Sequence, residues 1–145
     1  MSVCPKRRGT YVLFLNFLSD FSSDIGALGH IDLPAGQYCY VGSAMGGLEH
    51  RLDRHLSKEK KIRWHIDRLT IVADSMEAFV SYPDPVPECE LARIAEDSGC
   101  IPVCHGFGCS DCRCGTHLFS VPSDAKSALL KNAALEAYGQ SFFTL

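Results

Sequence analysis

The stretch "GQYCYVGSAMGGLEHRLDRH", residues 36–55, changes its periodicity partway along, and this constrains the fold more than any other feature of the chain. Its first part, "QYCYVG", is aromatic and β-branched and reads as a strand. "GSAMGG" reads as a turn. After it, Leu48, Leu52 and Leu56 recur every four residues, an apolar stripe that predicts a helix from about Gly47 to Lys58. Arg51 and His55 are also four apart and share an adjacent face of that helix. Strand, glycine turn and amphipathic helix in immediate succession commit the chain to an architecture that mixes sheet and helix.

The flanking segments agree. "GTYVLFLNFL", residues 9–18, predicts a buried first strand. Ser19 to Gln37 carries Ser, Gly and Pro punctuation and predicts loop, with a short strand around Ala27 to Ile31. "IRWHIDRL" predicts a short second helix, and "TIVADSMEAFVSY" strand material broken near Asp74 and Ser75. The prolines of "YPDPVPE" lead into a third helix from Glu88 to Asp97, with Pro87 suited to its entry. Residues 99–117 read as a Gly- and Cys-rich loop, "HLFSV" as a closing strand, and residues 123–138 as a last helix capped by Ser123. There is no repeat, low-complexity tract or linker. The order implies one α/β (α+β) domain over residues 1–145, with Lys6, Arg7 and Arg8 forming a basic arm at 1–8.

A chain of 145 residues can bury roughly two-thirds of its unfolded surface without disulfide staples. It is 46% hydrophobic and 21% charged and has no apolar run of roughly 18 residues that could span a membrane. The N-terminal segment lacks a small-residue cleavage site, so a cytoplasmic protein is expected. Five of the eight cysteines crowd into residues 100–114, which argues for a metal site or reduced thiols rather than a disulfide scaffold. The formal charge of −3 hides a concentration: seven of the 14 Lys and Arg lie between Arg51 and Arg68, against Asp53, Glu59 and Asp67. Such a basic face suits a polyanion partner; a solvated charged helix is the plainer alternative, and both stay open at this point.

Chemistry-bearing side chains gather around the glycine turn. If the strands holding Tyr11 and Tyr40 pair, both phenols reach one face, with glycines letting a ligand backbone approach closely. Tyrosine in a strand is also an ordinary core residue with a wet hydroxyl. Arg51 and His55 stand beside Tyr40, and arginine suits bidentate grip of a phosphate. His65 enters on the next helix in "WHID", beside Trp64, which is a packing anchor or a base-stacking platform, and Asp67, which caps the helix or pairs with Arg63 or Arg68. A Tyr, Arg, His and carboxylate set is what metal-assisted phosphodiester hydrolysis needs: a base, a cation for developing charge and a metal ligand. Arg54, Lys58, Lys60 and Lys61 would add sequence-independent attraction for phosphates.

"GTY", "YVGSA", "HRLDRH" and "ECELA" together resemble the GIY-YIG nuclease superfamily. The closer similarity is to its small archaeal and bacterial, DUF123-like branch, through "YVGSAMGGLEHRLDRH", "WHID", "ECELA" and "FGCSDCRCGTHLF", and it spans about residues 9–120. The resemblance implies a small, mainly antiparallel central sheet flanked by helices, and an Mg²⁺- or Mn²⁺-dependent endonuclease acting on nucleic acid, DNA foremost, in a repair setting and in association with a DNA-repair enzyme. Tyr11 and Tyr40 would correspond to the tyrosines of the two motifs, one of which deprotonates water. Arg51 would stabilise the phosphate and His55 would assist proton transfer. Glu88 would hold the single divalent metal, with Glu90 its rival, and His65 fits a more variable third position. Two departures stand out. Threonine and valine replace the middle isoleucines, and the asparagine that follows the metal glutamate in many relatives has no counterpart unless Ser110 or Asp111 takes its place.

The Cys-rich loop reads C-x4-C-x2-C-x-C-x2-H from Cys104 to His117. A compact Zn²⁺ site on Cys109, Cys112, Cys114 and His117 is one reading; packed thiols with a capping His117 is the other, because C-x-C is a poor spacing for a zinc ribbon. Three functions from different classes therefore stand: the endonuclease, a non-catalytic nucleic-acid-binding module, and a zinc-stabilised interaction domain.

Overall fold

The computed structural model describes residues 8–44, 46–107 and 115–138. Strand β1 (Gly9–Phe17) is the centre of the sheet. It pairs antiparallel with β4 (Gly36–Ala44) on one side and β5 (Ser75–Ser81) on the other. Beyond β4 come β7 (Leu118–Ser120) and β6 (Ile101–Pro102); beyond β5 comes β8 (Glu136–Ala137). The order is β6-β7-β4-β1-β5-β8, and the described pairings are antiparallel, as the sequence implied.

Side chains alternate along β1, and each set has its own helical layer. Tyr11, Leu13, Leu15 and Phe17 pack with Leu48 and Leu52 of α1 (Leu48–Leu56) and with Ile66 and Leu69 of α2 (His65–Thr70). Val12 and Phe14 face the other way, onto Leu91 and Ala95 of α3 (Glu88–Asp97) and Leu129 of α4 (Ala125–Asn132). A strand covered on both faces must be apolar at successive positions, which explains the unbroken run "YVLFL". No helix among the described residues is long and apolar enough to cross a membrane.

Five local expectations are corrected. Between Ser19 and Gln37 the chain forms a hairpin, β2 (Phe21–Asp24) with β3 (His30–Leu33), closed by a 3₁₀ turn at Gly26–Leu28. Its inward residues, Ile31 and Leu33, are buried, whereas its outward ones are polar. The expected turn "GSAMGG" begins late, because Gly42, Ser43 and Ala44 continue β4 opposite Tyr11, Thr10 and Gly9. "TIVA" extends the end of α2, with Ile71 N donating to Asp67 O and Ala73 N to Leu69 O.

The last helix stops at Asn132 instead of Tyr138. Ala134 takes a positive φ of 51°, and its N–H and that of Leu135 donate to the carbonyls of Lys131 and Leu130. This double bond pattern is a Schellman stop, and it turns the chain onto the edge of β5 as β8. Asp124, not Ser123, occupies the N-cap, and it makes no side-chain cap bond.

Candidate functional site

Register brings the two tyrosines together. Tyr11 lies opposite Gly42 and Tyr40 opposite Leu13, so both phenols project from the same face of the sheet, with ring centroids 6.4 Å apart. The space above Gly42 is filled by Tyr11 itself: a Cβ at residue 42 would sit 2.6 Å from the Tyr11 Cζ. The expected room for a ligand backbone is therefore taken by a protein side chain. Tyr11 is sealed in the core, whereas Tyr40 is partly exposed.

The α1 residues predicted to share a face converge on this pair. The Tyr11 hydroxyl lies 2.7 Å from His55 Nε2, and the neighbouring Arg51 guanidinium pulls the Tyr11 phenol pKa down. Arg51 also donates from Nη1 to the Ser43 carbonyl (3.0 Å), and its guanidinium lies over Trp64, 4.7 Å from the ring centroid. The guanidinium is thus oriented from two sides. His55 is buried, with its ring 6.2 Å from Tyr40 and 6.0 Å from Trp64, and its Nδ1 has no hydrogen-bond partner among the described residues.

Electrostatics follow from that burial. His55 is pushed down to about 3 by burial first and then by the positive charges of Lys60 and Arg51, so it is neutral at pH 7. Burial and the neighbouring Tyr40 raise the Tyr11 phenol well above its ordinary value, against the opposing pull of Arg51. A protonated phenol against a neutral imidazole is a hydrogen bond in which the proton stays on the Tyr11 oxygen.

A carboxylate closes the cluster. Glu88, in the first turn of α3, has a side chain 27% exposed, and its Oε2 lies 2.7 Å from Nδ1 of the fully buried His117. Burial pushes the Glu88 carboxyl up, but the His117 imidazole, the Ser43 hydroxyl and the Arg51 guanidinium outweigh it and hold the group below the usual range. Glu90 points away and pairs with Arg93 at 3.2 Å. Of the two glutamates left open in the sequence, Glu88 faces the cluster and Glu90 does not.

The remaining predicted residues are placed elsewhere. His65 is exposed and meets the cluster only through Phe107, 6.2 Å from its ring. Arg54 spans the Asp67 carboxylate with Nη1 and Nη2 at 2.8 and 2.9 Å and also donates to Lys61 O. Asp67 is fully buried and accepts from the N–H groups of Arg63 and Trp64; burial raises its pKa, but Arg54 and these bonds bring it down to about 2.

Lys58 donates to the carbonyls of Thr70, Ile71 and Ala73, and Lys60 to those of Arg54 and His55. Two of the four cations assigned to phosphate thus serve helix C-termini, where carbonyls lack intrahelical partners, and a third, Arg54, is committed to the Asp67 carboxylate. Lys61 is exposed. Of the zinc set, Cys109, Cys112 and Cys114 lie outside the described residues, as do Ser110, Asp111 and residues 1–7 of the basic arm. His117 sits in the core against Glu88.

Sequence reasoning missed the His117 contact to Glu88, which depends on tertiary placement, and the cation–π contact of Arg51 with Trp64. An open cleft of about 500 Å³ lies between the β2–β3 hairpin and α2, lined by Phe17, Phe21, Ile62, Arg68 and Val72 among others, and shares no residue with the cluster.

The chain matches the family described as "Domain of unknown function DUF123" over residues 10–140, and it belongs to that family. No curated protein and no solved structure matches it.

Proposed function

We propose that the protein is a nucleic-acid-binding, divalent-metal-dependent endonuclease that hydrolyses phosphodiester bonds, as its resemblance to the GIY-YIG nucleases implies. One observation carries the reading: Tyr11, Arg51, His55 and Glu88, drawn from β1, α1 and α3, form one contiguous polar cluster beside the partly exposed Tyr40.

The donor set fits a hard cation such as Mg²⁺ or Mn²⁺. Glu88 is ionised and partly exposed, and no group of three or more His, Cys, Asp or Glu suited to a metal exists among the described residues. A single carboxylate suits ions that keep several waters and complete their shell with substrate phosphate. Bound there, such an ion would supply Lewis-acid polarisation of the phosphate. Arg51 grips a phosphate oxygen and stabilises its developing charge; the Ser43 carbonyl and Trp64 hold it in readiness. Tyr40 is the phenol placed to meet water and substrate. Tyr11 and His55 form a buried hydrogen-bonded pair behind it, which keeps the phenol protonated and backs Arg51.

The test is cleavage and binding by wild type and Arg51→Ala on single-stranded, duplex and branched DNA and RNA with Mg²⁺ or Mn²⁺. Cleavage is expected to fall on the order of 10²- to 10³-fold in the variant, as for loss of one preorganised charge contact, with a smaller loss of binding. Wild type that binds without cutting under any condition would identify a binding module. Cutting unaffected by the substitution would remove the mechanism.

A further inference from the structure

Glu88 has three side-chain torsions and sits at the partly exposed start of a helix, where nothing in its own backbone holds the carboxylate toward Arg51. What faces it is a residue of the opposite kind. His117 is completely buried, and both of its backbone groups are committed: its N–H donates to Phe107 O at 2.8 Å, and its carbonyl accepts from Val41 N at 2.9 Å. The first bond ties it to Phe107, alongside the Gly106 N to Gly115 O bond at 2.6 Å; the second ties it to the central sheet. An imidazole so anchored presents Nδ1 at a fixed point 2.7 Å from Glu88 Oε2.

We infer that His117 is a positioning residue for Glu88, holding its carboxylate in the orientation that would receive the divalent cation, and that the backbone bonds joining Gly106 and Phe107 to Gly115 and His117 serve to fix His117. The inference rests on the reading of Glu88 as the metal-holding carboxylate. It gives His117 a role different from that of a zinc ligand. Residues contacting a ligating carboxylate typically change metal affinity by about 10- to 100-fold when removed.

The experiment is calorimetric titration of the full chain with Mn²⁺ alone, on wild type, Glu88→Gln, His117→Asn and His117→Gln, with thermal melting of each. The asparagine amide can occupy the place of Nδ1, whereas the glutamine amide reaches the place of Nε2, so the two variants bury similar polarity and differ in whether Glu88 is met. His117→Gln is expected to weaken Mn²⁺ binding about 10- to 100-fold, and His117→Asn to stay within about threefold of wild type. Equal affinities for the two variants, at comparable melting temperatures, overturn the positioning role while leaving Glu88 as the ligand. Unchanged binding in Glu88→Gln overturns the assignment of Glu88, and the role of His117 falls with it.

Discussion

The Tyr11 hydroxyl and His55 Nε2 stand 2.7 Å apart, joining the middle of the sheet to a helix 44 residues further along the chain. Both partners are almost wholly buried, so water cannot substitute for either. The bond therefore couples packing to electrostatics: the contact that holds α1 on the sheet also joins the Tyr11 phenol to a neutral imidazole.

Tyr11→Phe removes the hydroxyl that meets His55 while leaving the ring in place. An unsatisfied buried partner costs about 1–3 kcal/mol, and misplacement of the neighbouring Arg51 on the order of 10²-fold in rate. Urea unfolding and turnover on the best substrate measure the two effects separately. Unchanged turnover with lowered stability would assign the pair to folding alone.

His55 also makes stability depend on pH. Its folded value of about 3 lies below its ordinary 6.5, so between these limits the unfolded chain binds a proton that the folded protein does not. Its contribution is complete above pH 6.5 and is lost as pH falls toward 3. The urea midpoint of wild type is expected to drop across this window, and His55→Gln, which cannot titrate, to lack that component. Parallel curves for the two proteins would show that His55 is not held neutral.

Arg54 and Lys61 look equivalent in the sequence and behave oppositely in the structure. Arg54→Ala strands the buried Asp67 carboxylate, which is expected to cost about 3–5 kcal/mol. Lys61→Ala, on an exposed side chain, should change stability by less than about 0.5 kcal/mol. If Lys61 meets a phosphate, its removal lowers the slope of log binding constant against log salt by about 0.7 to 0.9. Denaturant melts and binding isotherms at several salt concentrations distinguish the two roles.

Local signals were legible where one residue enforces one geometry. Glu88–Asp97 was readable because proline precedes it and Gly99, at φ 109°, stops it, with Gly99 and Cys100 donating back to Glu96 and Ala95. The same stop ends α4, but there it uses Ala134, a residue with no preference for positive φ, so the sequence predicted helix straight through. In the site, the four-residue spacing of Arg51 and His55 and the pairing of the tyrosine strands were legible for the same reason. Which cations the fold ties to its own carbonyls and carboxylate was not. Lys58, Lys60 and Arg54 differ from Lys61 only through the helix ends and the buried carboxylate that the fold brings to them.

Gly42 and Gly46 test how tightly the cluster is built. Both fall in "YVGSAMGG", and composition alone would assign both to a flexible turn. Gly42 instead lies within β4 under the Tyr11 ring, where a Cβ would meet Cζ at 2.6 Å and run into the hydroxyl as well; around Gly46 nothing lies within 4 Å of that position. Tyr11 is clamped between the sheet and α1, so it cannot yield without breaking its bond to His55 and displacing Arg51. Gly42→Ala is therefore expected to cost about 1–3 kcal/mol as an overpacked core position and to reduce cleavage as Tyr11→Phe does. Gly46→Ala, with open space around it, should leave both within about 0.5 kcal/mol of wild type. Parallel urea melts and cleavage assays decide it: a Gly42→Ala protein as stable and active as Gly46→Ala would mean that the ring over Gly42 can move aside, and that the cluster does not depend on where Tyr11 sits.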